Sequence, residues 1–174
     1  SKPDITIVDI CLPTFLHKEF VIKAAEAKKD IVCEKPIALT LEDAKEMVDI
    51  CKKNRVRFMV AHVIRFWPEY AFIKKNYDQG RFGKLLTLTC NRLSPQPTWG
   101  WENWLLNKNY SGGALFDLHI HDVDFILYLL GQKPVSLYSR GTYSEEQGYT
   151  HVLTTYNFPG GVTAFAEGAW DMTS

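Results

Sequence analysis

Three short apolar runs in the first third of the chain, separated by two stretches with helical spacing, leave few folds open. Residues 5–12 (ITIVDICL) are a near-continuous β-branched run, the pattern of a strand buried on both faces of a parallel sheet. Phe20, Val21, Ala24, Ala25 and Ala27 then recur at helical spacing. Residues 30–34 (DIVCE) read as a second strand, which a right-handed crossover pairs parallel to the first. Thr40 opens the next helix. TLED reads as a capping box with Asp43 in place of the commoner Glu, and Leu41, Ala44, Met47, Val48 and Cys51 form the apolar stripe. A third strand is expected over 57–63 (RFMVAHV). The succession βαβαβ predicts a doubly wound α/β segment.

After Trp67-Pro68 the character changes. A helix through Tyr70, Ile73, Lys74 and Tyr77 is expected to end at Gly80, and residues 84–92 (KLLTLTCNR) read as a strand. Residues 94–109 form an aromatic, proline-interrupted loop with Trp99, Trp101 and Trp104. One long helix is predicted from about Gly112 to Leu130, closed by Gly131. Strand-like runs follow at 135–143, 151–158 and 162–170, and Pro159-Gly160-Gly161 marks a hairpin between the last two. The order predicts an α/β part over residues 1–64 and an α+β part with an antiparallel meander over residues 65–174.

Composition narrows the function classes. Twenty basic and twenty acidic residues cancel, and neither sign is blocked into a run, so nothing provides the footprint of nucleic-acid or anionic-membrane binding. No apolar stretch approaches the roughly 18–20 residues of a membrane span. The opening SKPDITIVDI lacks a charged-then-apolar signal pattern and runs almost at once into a strand, as a cut chain does. The four cysteines have neither paired metal spacing nor a CxxC, which points to reduced thiols in a cytoplasmic protein. Cys11 and Cys33 are expected inside buried strands, as small hydrophobes.

Two motifs carry chemistry. Glu34-Lys35-Pro36 places a lysine just past a strand, at the carboxyl edge of a parallel sheet, where open α/β folds bind ligands. Pro36 restricts the preceding residues to extended geometry, with a cis bond as one option. Pro13-Thr14 ends the first strand at the equivalent edge, with His17 starting the next helix, so these loops are expected to form one rim of a cleft. The second motif is GGALFDLHIHDVD over residues 112–124. On an unbroken helix Asp117, His121 and Asp124 share one face, whereas His119 points nearly the opposite way. A metal on Asp117, His121 and Asp124 and a surface ion-pair ladder are both open on this pattern. The paired glycines before it allow close approach of backbone or ligand.

The order CLPTFLH, CEKP, RFWPEY, QGRFGKL and SGGALFDLHIHDVDFILYLLG resembles the glucose–fructose oxidoreductase/inositol dehydrogenase/MocA family, from Ile5 to about Trp170. The resemblance implies the later part of a Rossmann-type parallel sheet followed by an α/β domain with a largely antiparallel open sheet. It implies NAD or NADP as cofactor and a sugar, polyol or related ring as substrate. Carried over, Lys35, Asp117 and His121 take the catalytic positions. Pro13, Thr14, His17, Glu34, Lys35 and Pro36 line the cofactor side, and Arg65 and Trp101 join Asp117 and His121 on the substrate side. No resident metal is implied. His119 departs from the pattern, since many members have glycine there.

No GxGxxG loop precedes Ile5, so the chain is expected to be the middle of a longer enzyme, short at both ends. The implied reaction is oxidation of a secondary alcohol by hydride transfer to nicotinamide. His121 acts as general base, since an imidazole titrates close to neutrality, Asp117 orients it or a neighbouring hydroxyl, and Lys35 stabilises developing alkoxide. A non-catalytic regulator or scaffold and a metal-dependent lyase or hydrolase are the alternatives. An open sheet edge points to homo-oligomerisation through the C-terminal sheet.

Overall fold

The computed structural model describes residue 2 and residues 4–173. The chain divides into two compact units, residues 1–61 with 109–111, and residues 62–108 with 112–174.

The first unit is built on a three-stranded parallel sheet in the order β1-β2-β3: β1 Ile7–Ile10, β2 Asp30–Glu34 and β3 Phe58–Ala61. Helices α1 (His17–Glu26) and α2 (Leu41–Asn54) make the crossovers that parallel pairing requires. The predicted α2 cap forms, with Thr40 Oγ1 accepting from the Asp43 amide at 3.1 Å. The Asp43 carboxylate takes Lys18 Nζ at 2.7 Å, tying α1 to α2. Arg55, at φ 58°, closes α2 in the left-handed conformation.

The core gathers Ile10, Val21, Ala25, Ile31, Cys33, Met47 and Cys51. The central strand β2 alternates buried and half-buried residues, whereas the β-branched run of residues 5–12 is not buried throughout as expected. β1 lies at an edge, and Ile5 and Ile7 stay exposed. Cys11 sits just past β1 and is exposed, contrary to expectation, because the strand ends before it. Cys33, in the central strand, is buried as expected, and burial pushes its thiol up to about 12.

The second unit begins with a 3-10 turn, Val63–Phe66, and α3 (Pro68–Asp78), which carries Pro68 in its first turn. Its sheet has the order β4-β7-β6-β5: β4 Thr87–Leu93, β5 Ser136–Ser144, β6 Gly148–Asn157 and β7 Thr163–Ala169. β5, β6 and β7 form the predicted antiparallel meander, turned by Gly148 and by a 3-10 turn at Pro159–Gly161. β4 pairs with β7 in parallel, which the reading from sequence lacked. The connection between them takes in β5 and β6, and residues 94–135 form the crossover that carries the chain from β4 to β5 at the opposite edge of the sheet.

That crossover contains a kinked 3-10 segment Trp101–Leu106 and three helices: α4 Lys108–Ser111, α5 Gly113–Asp117 and α6 Ile120–Leu130. α6 packs Ile126, Val123 and Leu130 against Leu88 and Cys90 of β4, Ala164 and Ala166 of β7, and Tyr156 of β6. Phe125 and Leu129 face Ile64, Tyr70 and Ile73 instead, so α6 is apolar on two faces and sits between α3 and the sheet. Among the described residues, no helix is long and apolar enough to cross a membrane.

Candidate functional site

In the first unit, the strand-end loops are held by a histidine. His17 is 1% exposed, with Nδ1 3.0 Å from the Pro36 carbonyl oxygen and Nε2 2.8 Å from that of Leu12. The ring thus bridges the loop after β1 to the loop after β2. That placement makes His17 a positioning residue: its polar atoms are engaged by backbone. The Lys35–Pro36 bond is cis and Pro36 is buried, while Glu34 and Lys35 are half-buried. Glu34 Oε2 accepts the Lys35 amide at 3.3 Å. Pro13 caps the 3-10 turn Thr14–Leu16, its carbonyl accepting the Leu16 amide at 2.9 Å. Thr14 is buried, and its hydroxyl oxygen has no hydrogen-bond partner among the described residues.

In the second unit, the predicted long helix is broken. The His119 amide bonds to the Ala114 carbonyl, five residues back, at 2.8 Å, and that oxygen also accepts from Leu118 at 3.1 Å. Such a widened turn inserts an extra residue into the helical register and rotates the next helix, α6, relative to α5; turns of this kind concentrate at functional sites. The expected common face of Asp117, His121 and Asp124 does not survive it. Asp117 ends α5 and lines a cavity with Trp99 and Trp170. Asp124 is 8% exposed and takes Arg65 in a bidentate pair, Nε to Oδ2 at 2.7 Å and Nη2 to Oδ1 at 2.5 Å. His121 opens α6, half-buried, its amide 3.3 Å from the Leu118 carbonyl.

The carboxylate that a metal site would have borrowed is therefore engaged by a guanidinium. Among the described residues, no group of three His, Cys, Asp or Glu side chains is arranged to hold a metal. Arg65 also lies 4.8 Å over the Tyr128 ring, and His62 Nδ1 approaches Asp124 at 3.6 Å. The Arg65 fork thus locks the 3-10 turn before α3 onto α6.

Two side chains of the 112–124 motif, Asp122 and His119, hold α6 to the sheet, a role that motif reading did not assign to them. Asp122 is 2% exposed and receives both arms of Arg92 from β4, at 3.0 and 2.9 Å, and Tyr70 Oη accepts from the same guanidinium at 3.1 Å. His119 is buried at the foot of α6 with Nε2 3.2 Å from Thr154 Oγ1, which lies 2.9 Å from Ser139 Oγ. It presses on Gly168, where an added Cβ would come within 3.1 Å of the His119 Cβ. The larger side chain on the helix is matched by the missing one on the strand.

The paired glycines serve backbone approach. Gly113, at φ 71°, leaves no room for a Cβ, which would collide with the Gln147 carbonyl in the turn between β5 and β6. A cavity of about 370 Å³ adjoins Asp117, lined by Ser94, Pro95, Gln96, Pro97, Trp99, Leu118 and Trp170 as well. Trp101, the tryptophan singled out in the sequence, lies outside this lining and is 66% exposed. Of the loop tryptophans, Trp99 is the one that lines the cavity with the carboxylate. Residue spacing gives no signal for that choice, since both tryptophans sit in one irregular loop.

Two family models match the chain. One, described as "Oxidoreductase family, NAD-binding Rossmann fold", covers residues 1–62. The other, "GFO/IDH/MocA C-terminal domain", covers residues 70–174. The 2,7-anhydro-N-acetylneuraminate hydratase of Escherichia coli is 39% identical over 140 residues, 77% of this chain and 36% of that protein. The inositol 2-dehydrogenase of Rhizobium meliloti is 35% identical over 139 residues, 79% of this chain and 40% of that protein. A levoglucosan dehydrogenase in complex with NADH and levoglucosan superposes with a TM-score of 0.88 at 30% identity, over all of this chain and 50% of that one. The chain thus spans half or less of the length of these relatives.

Proposed function

Since the chain belongs to the GFO/IDH/MocA oxidoreductase family, we propose that it is part of a nicotinamide-dependent dehydrogenase that oxidises a secondary alcohol on a sugar, cyclitol or related ring. The observation that supports this reading is Asp117 at the end of α5, beside a cavity lined by Trp99 and Trp170, with His121 following in the first turn of α6. The relatives' substrates named above include inositol and levoglucosan, both saturated rings with secondary hydroxyls.

In this reading His121 takes the hydroxyl proton as general base, and Asp117 orients a neighbouring hydroxyl. Lys35 supplies positive charge where alkoxide character develops. Pro13, Thr14, Glu34 and Pro36 present the strand-end surface that receives the cofactor's nicotinamide side, and His17 holds two of those loops in place. The nicotinamide, when bound, accepts the hydride. Arg65 belongs to the frame that fixes α6, through Asp124.

Turnover is tested in the longer enzyme by following nicotinamide reduction with inositol and levoglucosan. His121→Ala is expected to lower turnover by roughly 10²–10⁴, the range for a lost general base. Lys35→Met is expected to lower it without lowering the unfolding midpoint. Near-normal turnover in His121→Ala would remove it from the reaction. The same reading includes self-association through the C-terminal sheet, which exposes Leu93, Tyr138 and Leu153. Sedimentation velocity of the longer enzyme is expected to give an oligomer that Leu153→Glu dissociates, and a monomeric wild-type would refute this.

A further inference from the structure

The first turn of α6 follows a break in the helix. The Ala114 carbonyl accepts the Leu118 amide at 3.1 Å and the His119 amide at 2.8 Å, and the His119 carbonyl accepts the amides of Asp122 and Val123, each at 3.1 Å. His119 thus donates into the ladder of α5 and accepts for that of α6. Helices kink where a widened turn interrupts the ladder, so the direction of α6 is left to the side chains that anchor its start.

Two side chains anchor it, and they sit three residues apart on one face of the turn. Asp122 takes Arg92 from β4 at 3.0 and 2.9 Å. His119, 1% exposed, has Nε2 3.2 Å from Thr154 Oγ1 on β6, and that oxygen lies 2.9 Å from Ser139 Oγ on β5. In the sheet order β4-β7-β6-β5, the strands of Arg92 and Thr154 flank β7 on its two sides. Between them β7 offers Gly168, where a Cβ would come within 3.1 Å of the His119 Cβ and 3.2 Å of its Nδ1. The turn is therefore held at two points that straddle one strand. One anchor alone would let it swivel. His121 falls between the two in sequence, and at 3.6 residues per turn it leaves the helix about 160° around from His119, away from the anchored face.

A histidine suits this place for two reasons. An aliphatic side chain would fill the hollow over Gly168 yet leave rotation free, since apolar contact has no direction. The imidazole fills it and adds a directional bond. Its Nδ1 has no partner among the described residues, so Nε2 carries the whole polar anchorage. Burial, outweighing Asp122, holds the pKa of the ring below the usual histidine value, so it is already mostly neutral where an ordinary imidazole is half protonated. Resting on the dehydrogenase reading above, we propose that His119 is a positioning residue for His121. Bound to Thr154 across Gly168, it fixes the rotation of the first turn of α6, and so the direction in which His121 presents its imidazole.

The test compares the wild type with Thr154→Val, Thr154→Ser and Gly168→Ala by two readouts. In the 174-residue chain, amide residual dipolar couplings of residues 120–123 report how the turn is oriented relative to β6 and β7. In the longer enzyme, nicotinamide reduction with inositol or levoglucosan gives kcat, KM and the pH profile. Thr154→Val keeps the branched shape and removes the hydroxyl, and Gly168→Ala pushes on His119 from the strand beneath. Both are expected to shift the couplings and to lower kcat roughly ten- to a hundredfold with KM nearly unchanged, the scale of a general base displaced by up to about 1 Å. The limb of the pH profile set by His121 is expected to move, whereas loss of folded protein would scale the rate alike at every pH. Thr154→Ser is expected to retain wild-type couplings and kcat. Unchanged couplings in Thr154→Val overturn the inference, as do shifted couplings with an unaltered kcat and pH profile, or a Thr154→Ser as impaired as Thr154→Val. A wild-type enzyme without turnover strikes the dehydrogenase reading instead, and the couplings alone then decide whether His119 sets the turn.

Discussion

Removing Arg92 is expected to release the helix that carries His121 from its sheet. The Arg92 guanidinium makes two hydrogen bonds to Asp122 and one to Tyr70, and Asp122 is 2% exposed with Arg92 as its cation. Arg92→Leu keeps much of the side chain's volume but leaves a carboxylate buried and unpaired. Breaking a buried pair from one side costs about 3–5 kcal/mol, because the remaining charge has lost water as well as its partner. With a urea m-value of roughly 2 kcal/mol/M, the midpoint of the second unit should fall by about 1.5–2.5 M. Replacing both partners, Arg92→Leu with Asp122→Leu, removes the stranded charge and should recover most of that loss, since a buried pair is often no better than apolar side chains of similar volume. The assay is urea unfolding followed by tryptophan fluorescence for the wild type, both single variants and the double, read as a double-mutant cycle. A drop below about 0.5 M in Arg92→Leu, or a double variant as unstable as the sum of the singles, would refute the reasoning.

Two histidines should make stability depend on pH in opposite senses. His151 lies 2.8 Å from Glu167 and 3.2 Å from Asp171, and the hydrogen bond to Glu167, more than the nearby Asp171, raises its pKa above the usual histidine value. Its contribution is therefore full below the ordinary histidine range and is lost as pH rises through the folded value. Urea midpoints measured across neutrality should show that loss in the wild type and not in His151→Gln. Burial lowers the pKa of His119, outweighing the neighbouring Asp122. The unfolded chain then takes up the proton first, so stability should fall as pH drops from the ordinary histidine value toward the depressed one. Imidazole NMR titration checks both directions at once, and a His119 that titrates above a model imidazole would contradict its placement against Gly168.

Local patterns were readable because they depend on neighbours in sequence. The short strand β2, the Thr40 cap and the Gly-rich turn between β6 and β7 appear where spacing alone places them, as does the meander. Lys35 after a strand and Asp117 with His121 stand out for the same reason. The errors fall where distant segments decide. An unbroken helical period set Asp117 and Asp124 on one face, but the widened turn at Ala114 divides them, and Arg65, 59 residues from Asp124 in sequence, claims that carboxylate. β1 reads as a buried strand from its composition, yet exposure depends on which strands flank it.

The sequence by itself determined the alternation of strands and helices, the family and the residue types that can perform the chemistry, because periodicity and motif spacing are short-range properties. Only the tertiary structure decided which polar groups meet, Arg92 with Asp122, Arg65 with Asp124 and His17 with two backbone carbonyls, and which tryptophan, Trp99 rather than Trp101, lines the cavity with Asp117. A buried charge or ring nitrogen must find its partner wherever packing brings one within about 3 Å. That encounter is set by the crossover of the chain over its sheet, and distance along the sequence does not encode it.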